Sequence, residues 1–336
     1  MTRSTPSLRF GHTELPQEQQ QALRQAVKFE WITIGFLAVT TTLVFLVLGN
    51  SQAMKAAWIE DLLSFLPPIS FLIATRVIRR RPTIDHPYGF HRAVGIAHLV
   101  AAVALLVMGA YLFIESGIGL VTAEHPTIGS VELFGEVFWL GWLMILVMLL
   151  TAGPPVYLGL VKMRLAKKLH DKVLYADADM NKADWATALA AVVGVMGIGF
   201  GLWWADSAAA LVISLSILRD GIKNLRAAVG GLIDTRAKTY DDAGPDPLGE
   251  RIDAYLRGLR WVDDARSRIR DEGHVYHIES FVVIKSRCTP EIEYFEEARN
   301  ACIGMDWKVQ DIVIIPVSEL PEEFLPGVTS SGGERA

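Results

Sequence analysis

The chain has 336 residues, 51% of them hydrophobic, and a mean hydropathy of +0.31. That apolar excess is clustered rather than spread, which excludes an ordinary soluble protein. A net charge of −5 excludes a nucleic-acid partner, and the two cysteines, Cys288 and Cys302, form neither a zinc-finger spacing nor a disulfide framework.

Residues 1–28 are polar and Gln-rich around Gln17–Gln21. They lack the layout of a cleavable signal peptide and read as a soluble, amphipathic lead-in on the cytoplasmic side. Six apolar segments follow, near 30–50, 54–78, 93–118, 134–161, 173–203 and 206–229. Each is long enough to cross a bilayer at about 20 residues per crossing. The second carries Glu60 and Asp61 and then Pro67-Pro68, which predicts a kink where the ring removes a backbone donor. The fourth is expected to end at Gly153-Pro154-Pro155. Asp206 follows Trp203-Trp204 at the head of the sixth segment and is expected to be that helix's N-cap.

Lysine and arginine set the predicted topology. Arg76, Arg79, Arg80, Arg81 and Arg92 follow the second segment, and Lys162, Arg164, Lys167, Lys168 and Lys172 follow the fourth, whereas residues 119–134 contain neither type. The basic connections therefore face the cytoplasm, and with six crossings both termini do too.

Composition changes near residue 236. A linker, Asp241-Asp242-Ala-Gly-Pro-Asp-Pro, leads into a helical pattern at Leu248–Leu259. Strand candidates are Val262–Arg270, Val275–Lys285 and Val309–Val317, with a helix over Pro290–Cys302 before the last. The order αββαβ predicts a small α+β domain with helices on one face of a three-stranded sheet. Residues 321–336 read as a disordered tail.

The stretch with the most chemistry is Tyr175-Ala-Asp-Ala-Asp-Met-Asn-Lys-Ala-Asp184, which heads the fifth segment. At helical spacing Asp177, Met180, Asn181 and Asp184 share one face. Ionisable groups in a membrane segment cost roughly 2.5–3.5 kcal/mol each on insertion scales, so they point to ion handling. The plainer alternative is a solvated helix start. Lys182, three residues after Asp179, is expected to pair with it. His274 and His277 are weak candidates for a metal in the C-terminal domain, with surface histidines the simpler account.

Six apolar segments, the loop His86-Pro87-Tyr88-Gly89-Phe90-His91-Arg92, the Ala176-Asp177-Ala178 start of the fifth helix, Trp203-Trp204-Ala205-Asp206 and the αββαβ domain occur together. In this order they resemble the cation diffusion facilitator family of divalent-metal/proton antiporters, over roughly residues 30–320. The resemblance implies a six-helix transmembrane bundle over 29–232 and a cytoplasmic, ferredoxin-like or metallochaperone-like dimerisation and regulatory domain over 233–320. It implies a transporter rather than an enzyme: a homodimer in the plasma or inner membrane that moves Zn²⁺, Mn²⁺ or Fe²⁺ out of the cytoplasm against protons, with no tightly bound cofactor.

In that family helices two and five each present two metal ligands four residues apart. Here the matching positions are Asp61 and Phe65 on helix two, and Met180 and Asp184 on helix five. A one-residue shift gives Glu60 and Ser64 instead. The candidate ligand set is therefore Asp61 and Asp184, with Met180, Asp177, Glu60 and Asn181 as contributors. Oxygen-rich ligation leans toward Mn²⁺ or Fe²⁺, and a thioether adds softness. The alternatives left open are zinc transport through the shifted set and a non-transporting partner or sensor. The resemblance also suggests a charge interlock between protomers through Arg92, with Asp85 and Asp234 as candidate partners.

Overall fold

The structure, a computed structural model, describes residues 15–78, 80, 83–86, 88–123, 127–133, 135–241, 243–273 and 275–324. The chain divides into two compact units: Gln17–Arg79 with Arg92–Leu232, and Arg80–His91 with the chain from Ile233 onward.

The first unit is a helical bundle. Helix α1 (Gln17–Val47) is continuous, so the polar lead-in and the first apolar segment are one element. Helix α2 (Gln52–Leu63) starts where the Ser51 hydroxyl accepts the Met54 N–H at 3.1 Å. It ends at Ser64, and α3 (Leu66–Ile78) restarts with Pro67 and Pro68 in its first turn, where a missing N–H is tolerated. The predicted proline kink is thus a break of two residues. Helix α4 spans Ala93–Val121.

An antiparallel hairpin, β1 (Ser130–Leu133) and β2 (Glu136–Trp139), precedes α5 (Leu140–Leu169). Two expectations fail here. The fourth apolar segment starts at 140 rather than 134, because its Glu136–Trp139 stretch pairs as a strand. Nor does it stop at Pro154-Pro155: α5 runs through both prolines and on to Leu169, about four more turns. A buried bundle can absorb the lost hydrogen bonds that would end a solvated helix. Helix α6 (Lys172–Gly199) is capped by the Asp171 carboxylate, which accepts from Leu174 N at 2.9 Å.

The last long helix is α7 (Ala205–Leu232). It packs tightly on α4. A Cβ at Gly221 would lie 2.7 Å from the Leu106 backbone nitrogen, and one at Gly109 would lie 2.8 Å from that of Leu218. Small residues let the two backbones touch, the usual way helices associate in lipid. Among the described residues, five stretches are apolar and long enough to cross a membrane: Gln17–Val47, Gln52–Ile78, Ala93–Val121, Leu140–Leu169 and Lys172–Gly199. Many of their large apolar side chains, such as Phe45, Val107, Leu150 and Val193, face outward, as a lipid solvent allows.

In the second unit α8 (Leu248–Arg257) and α9 (Ile292–Ile303) lie against one face of the sheet β3-β4-β5, formed by Val262–Asp271, Tyr276–Ile284 and Val309–Val317. Strands β3 and β4 are antiparallel, while β4 and β5 are parallel and joined through α9. The core between the layers contains Leu248, Ile252, Leu256, Ala265, Ile278, Val282, Ala298 and Ile312. Cys288 is exposed and Cys302 buried, both as free thiols. Burial pushes the Cys302 thiol up to about 11. On the opposite face Phe281 carries the Arg268 guanidinium, 5.0 Å from its ring centre. Phe324, in a short 3₁₀ turn at Glu322–Phe324, packs beside it. Residues 325–336 of the expected tail lie outside the described residues.

Candidate functional site

Three helices of the bundle carry their residues in the same layered order. Along α1, Ala22 and Ala26 belong to one apolar layer, Glu30 follows, then Phe36, Leu37 and Thr40, and Val44 and Val47 belong to a second apolar layer. Along α6 the order is Val173 and Leu174, then Asp177 and Asn181, then Asp184 and Thr187, then Ala191, Val192 and Val195. Along α5 it runs in reverse, from Met144 and Val147 through Thr151 and Pro155 to Lys162 and then Leu165, Ala166 and Leu169. A polar band is held between two apolar layers.

The band has two parts. One is a small cavity of about 30 Å³ walled by α1, α2, α5 and α6. Its acidic lining is Glu60, Asp61 and Asp184, and its neutral oxygen lining includes Thr40, Thr151 and Thr187. Glu60 and Asp61 reach it from α2, Asp184 from α6 one turn above Asn181. Thr187 lines the cavity with Glu60, whose Oε2 is buried without a partner. Three carboxyl groups thus share one small cavity, and a cation there would offset their charge. Among the described residues, no lysine, arginine or histidine forms an ion pair with any of the three. Nor do three His, Cys, Asp or Glu side chains there already converge as a closed metal cage. The prolines add a further oxygen source. Pro155 cannot donate to the Thr151 carbonyl, and both residues line the cavity.

The other part of the band is a buried charge triad. Lys162 Nζ donates to Glu30 Oε2 at 2.8 Å and to Asp177 Oδ2. Both Lys162 and Glu30 are 0% exposed and Asp177 is 2% exposed. The Asn181 amide donates to Asp177 Oδ1 at 3.1 Å and to its backbone carbonyl at 2.8 Å.

The structure therefore divides the residues that the sequence grouped. Asp61, Glu60 and Asp184 come together. Asp177 and Asn181, on the same helical face, belong to the triad instead. Met180 turns toward a separate cavity of about 20 Å³, with Ser70, His98 and Asn224 among its lining; His98 Nε2 and Asn224 Oδ1 are 3.2 Å apart. Ser64 is not among the cavity residues; its hydroxyl donates back to the Glu60 carbonyl at 3.0 Å.

The Arg92 guanidinium donates to the Leu232 carbonyl at 3.2 Å. Asp85 is exposed, and Asp234 lies 3.4 Å from Arg270. His277 sits 3.8 Å from Asp311, which also faces Arg299 at 3.4 Å, and its ring meets Tyr88 edge-on at 5.4 Å. His274 lies outside the described residues, as does the Lys182 side chain. Asp179 has Lys223 as a partner at 3.2 Å.

Asp206 corrects an expectation. It is fully buried and caps α2, not its own helix α7: its carboxylate accepts from Ser51 Oγ at 2.6 Å, Gln52 N at 2.5 Å and Ala53 N at 3.2 Å. A carboxylate from a distant helix thus satisfies the free donors at the start of the α2 helix that carries Glu60 and Asp61.

Sequence reading missed Glu30 and Lys162. Glu30 stands at the edge of the first apolar run, and Lys162 was counted in a basic connection. The available signal was helical: Lys162 follows Pro155 by seven residues, so it continues the face that lines the cavity.

Residues 30–233 match the sequence profile of the cation efflux transmembrane domain. The chain belongs to the cation efflux, or cation diffusion facilitator, family. Members of this family are transporters rather than enzymes, and the chain is an integral, multi-pass membrane protein. It is 26% identical over 207 residues to the manganese efflux system protein MneS of Bacillus subtilis, covering 60% of this chain and 66% of that one. It is 22% identical over 271 residues to the manganese efflux system protein MneP of the same organism, covering 77% and 83%. With the magnetosome protein MamM of Magnetospirillum gryphiswaldense it shares 25% identity over 239 residues, 69% and 70% of the two chains.

Proposed function

We propose that this family member exports a divalent transition-metal cation from the cytoplasm, and that Asp61 and Asp184, with Glu60, bind the cargo. One observation carries the reading: three carboxylates from two helices line one intramembrane cavity with no ion-pair partner among the described residues. Unpaired acids inside a bilayer are costly, and handling a cation is the function that offsets the cost. Relatives named for manganese efflux and a lining whose polar side chains are carboxylates and hydroxyls, with the Met148 thioether among its apolar part, favour Mn²⁺, with Fe²⁺ next, over Zn²⁺. The Met180 thioether and Phe65 stand outside this set, so the cavity differs from a tetrahedral zinc cage.

Carboxylates accept either a metal or protons. Competition for the same oxygens is the simplest coupling, with protons entering as metal leaves. In this reading helix α7 is the sixth crossing and both termini are cytoplasmic, as the basic connections predict. The α2–α3 break beside the site and the prolines of α5 are where helices would flex during alternating access. Two copies associate as a homodimer, with Arg92, Asp85 and Asp234 near the membrane surface and the C-terminal unit as the dimerisation and regulatory domain.

The test is Mn²⁺ uptake by proteoliposomes holding an acid-inside proton gradient, with wild type beside Asp61→Asn and Asp184→Asn. The expected result is uptake that the gradient accelerates and both substitutions abolish. Uptake indifferent to the gradient and to both substitutions would sink the reading. No uptake of Mn²⁺, Fe²⁺ or Zn²⁺ by folded protein would favour a non-transporting partner or sensor.

A further inference from the structure

The triad next to the cavity has a chemistry that the export reading does not use. Glu30, Lys162 and Asp177 are three charges with almost no contact with solvent, drawn from α1, α5 and α6. Asp177 precedes Asp184 by seven residues on one face of α6, which sets the two about 10 Å apart along the axis. The triad therefore lies between the cavity and the apolar layer of Ala22, Ala26, Leu165 and Leu169. Three features separate it from a plain structural ion pair. Two carboxylates share one ammonium, so the group keeps a net charge of −1 when all three are ionised. Glu30 Oε1 is fully buried and has no hydrogen-bond partner. Asn181, one turn from Asp184, reaches Asp177 and links the two parts of the band.

We propose that Glu30 and Asp177 form a second divalent-cation station beside the transport cavity, which the Lys162 ammonium occupies as a tethered substitute when no cargo is present. This deepens the export reading and rests on it. A divalent ion between the two carboxylates would neutralise them completely, where the ammonium leaves one charge over. Lys162 has a flexible four-carbon stem, so it can withdraw its charge without the helix moving far. On the side predicted to face the cytoplasm, the cargo would displace Lys162, rest between Glu30 and Asp177, and pass one layer on to Asp184. Lys162 would then return and close the path behind it.

Calorimetric titration of the full-length protein in detergent with Mn²⁺ tests the station separately from the cavity. Lys162→Met is compared with wild type, and the double variant Lys162→Met/Asp184→Asn with Asp184→Asn. Each Lys162→Met protein is expected to bind one additional Mn²⁺ per chain relative to its own parent, and Glu30→Gln is expected to remove that extra ion. A folded Lys162→Met protein that gains no Mn²⁺ in either background overturns the proposal. The cavity reading fails independently if Asp184→Asn binds Mn²⁺ as wild type does. If the Lys162→Met proteins do not fold, Lys162→Arg decides. Its bulkier, doubly bonding guanidinium should hold the station shut and slow flux about tenfold or more, with Mn²⁺ binding at the cavity retained. Wild-type flux in Lys162→Arg contradicts the tethered-cation role.

Discussion

In the C-terminal unit, the buried Asp246 and Asp311 are matched to donors. Asp246 accepts from the Tyr276 hydroxyl at 2.8 Å, Asp311 lies between His277 and Arg299, and the Tyr276 ring in turn carries Lys308, 4.0 Å from its centre. In the helical bundle, the acids divide. Asp206 is spent on the start of α2 and Asp177 on Lys162, while Glu60, Asp61 and Asp184 are left facing a cavity. A soluble domain gains by pairing every buried charge. A transporter has to leave some unpaired for its cargo. The difference is why the cavity, rather than the triad or the C-terminal unit, is proposed as the cargo site.

The sharpest way to break this comparison is Asp184→Asn. If the carboxylate is kept for cargo rather than for folding, the change should lower Mn²⁺ flux about 100-fold, at least as much as the roughly 10–100-fold that losing an outer partner costs a metal site. It should also leave the detergent melting temperature equal or higher, because neutralising an unpaired intramembrane acid removes a cost of about 2.5–3.5 kcal/mol on insertion scales. A large loss of stability would instead make Asp184 structural.

Next in size is Gly221→Ala, which concerns packing in the bundle rather than charge. The new methyl would meet the Leu106 backbone at 2.7 Å, and the α4–α7 pair should lose about 1–3 kcal/mol by thermal melting in detergent. In the C-terminal unit, Tyr276→Phe should cost a similar amount, about 1–3 kcal/mol, because Asp246 Oδ2 is left buried without its donor while Oδ1 keeps the Leu248 N–H. Arg268→Ala sharpens the contrast from the other end. Its pairs with Glu279 and Glu323 are solvent-exposed, so the loss should stay within about 1 kcal/mol.

The two units were also unequally legible. Strand β5 was read at Val309–Val317 with both ends correct, and β3 and β4 within a residue or so, because alternating β-branched runs bounded by turns identify strands locally. In the bundle, apolar runs located the helices but not their ends. Pro154-Pro155 looked like a stop because proline stops helices in water; inside the bundle α5 continues to Leu169. Lys162 looked like a loop lysine because the helix was ended too soon, so its pairing with Glu30 and Asp177 was hidden. The capping of α2 by Asp206 joins residues more than 150 positions apart, which no local pattern encodes. Of the site, Asp61, Glu60 and Asp184 were legible from carboxylates in apolar segments. The separation of Asp177, Asn181 and Met180 from them was not, since sharing a helical face does not decide which neighbouring helix each residue meets.

The central claim is that cargo binds between α2 and α6. Crystals of the full-length protein grown with Mn²⁺ and measured for anomalous scattering would test it most directly. The account predicts a manganese peak within coordination distance of the Asp61 and Asp184 carboxylates, absent from Asp184→Asn crystals. Manganese found only in the C-terminal unit, with the cavity holding water, would contradict it.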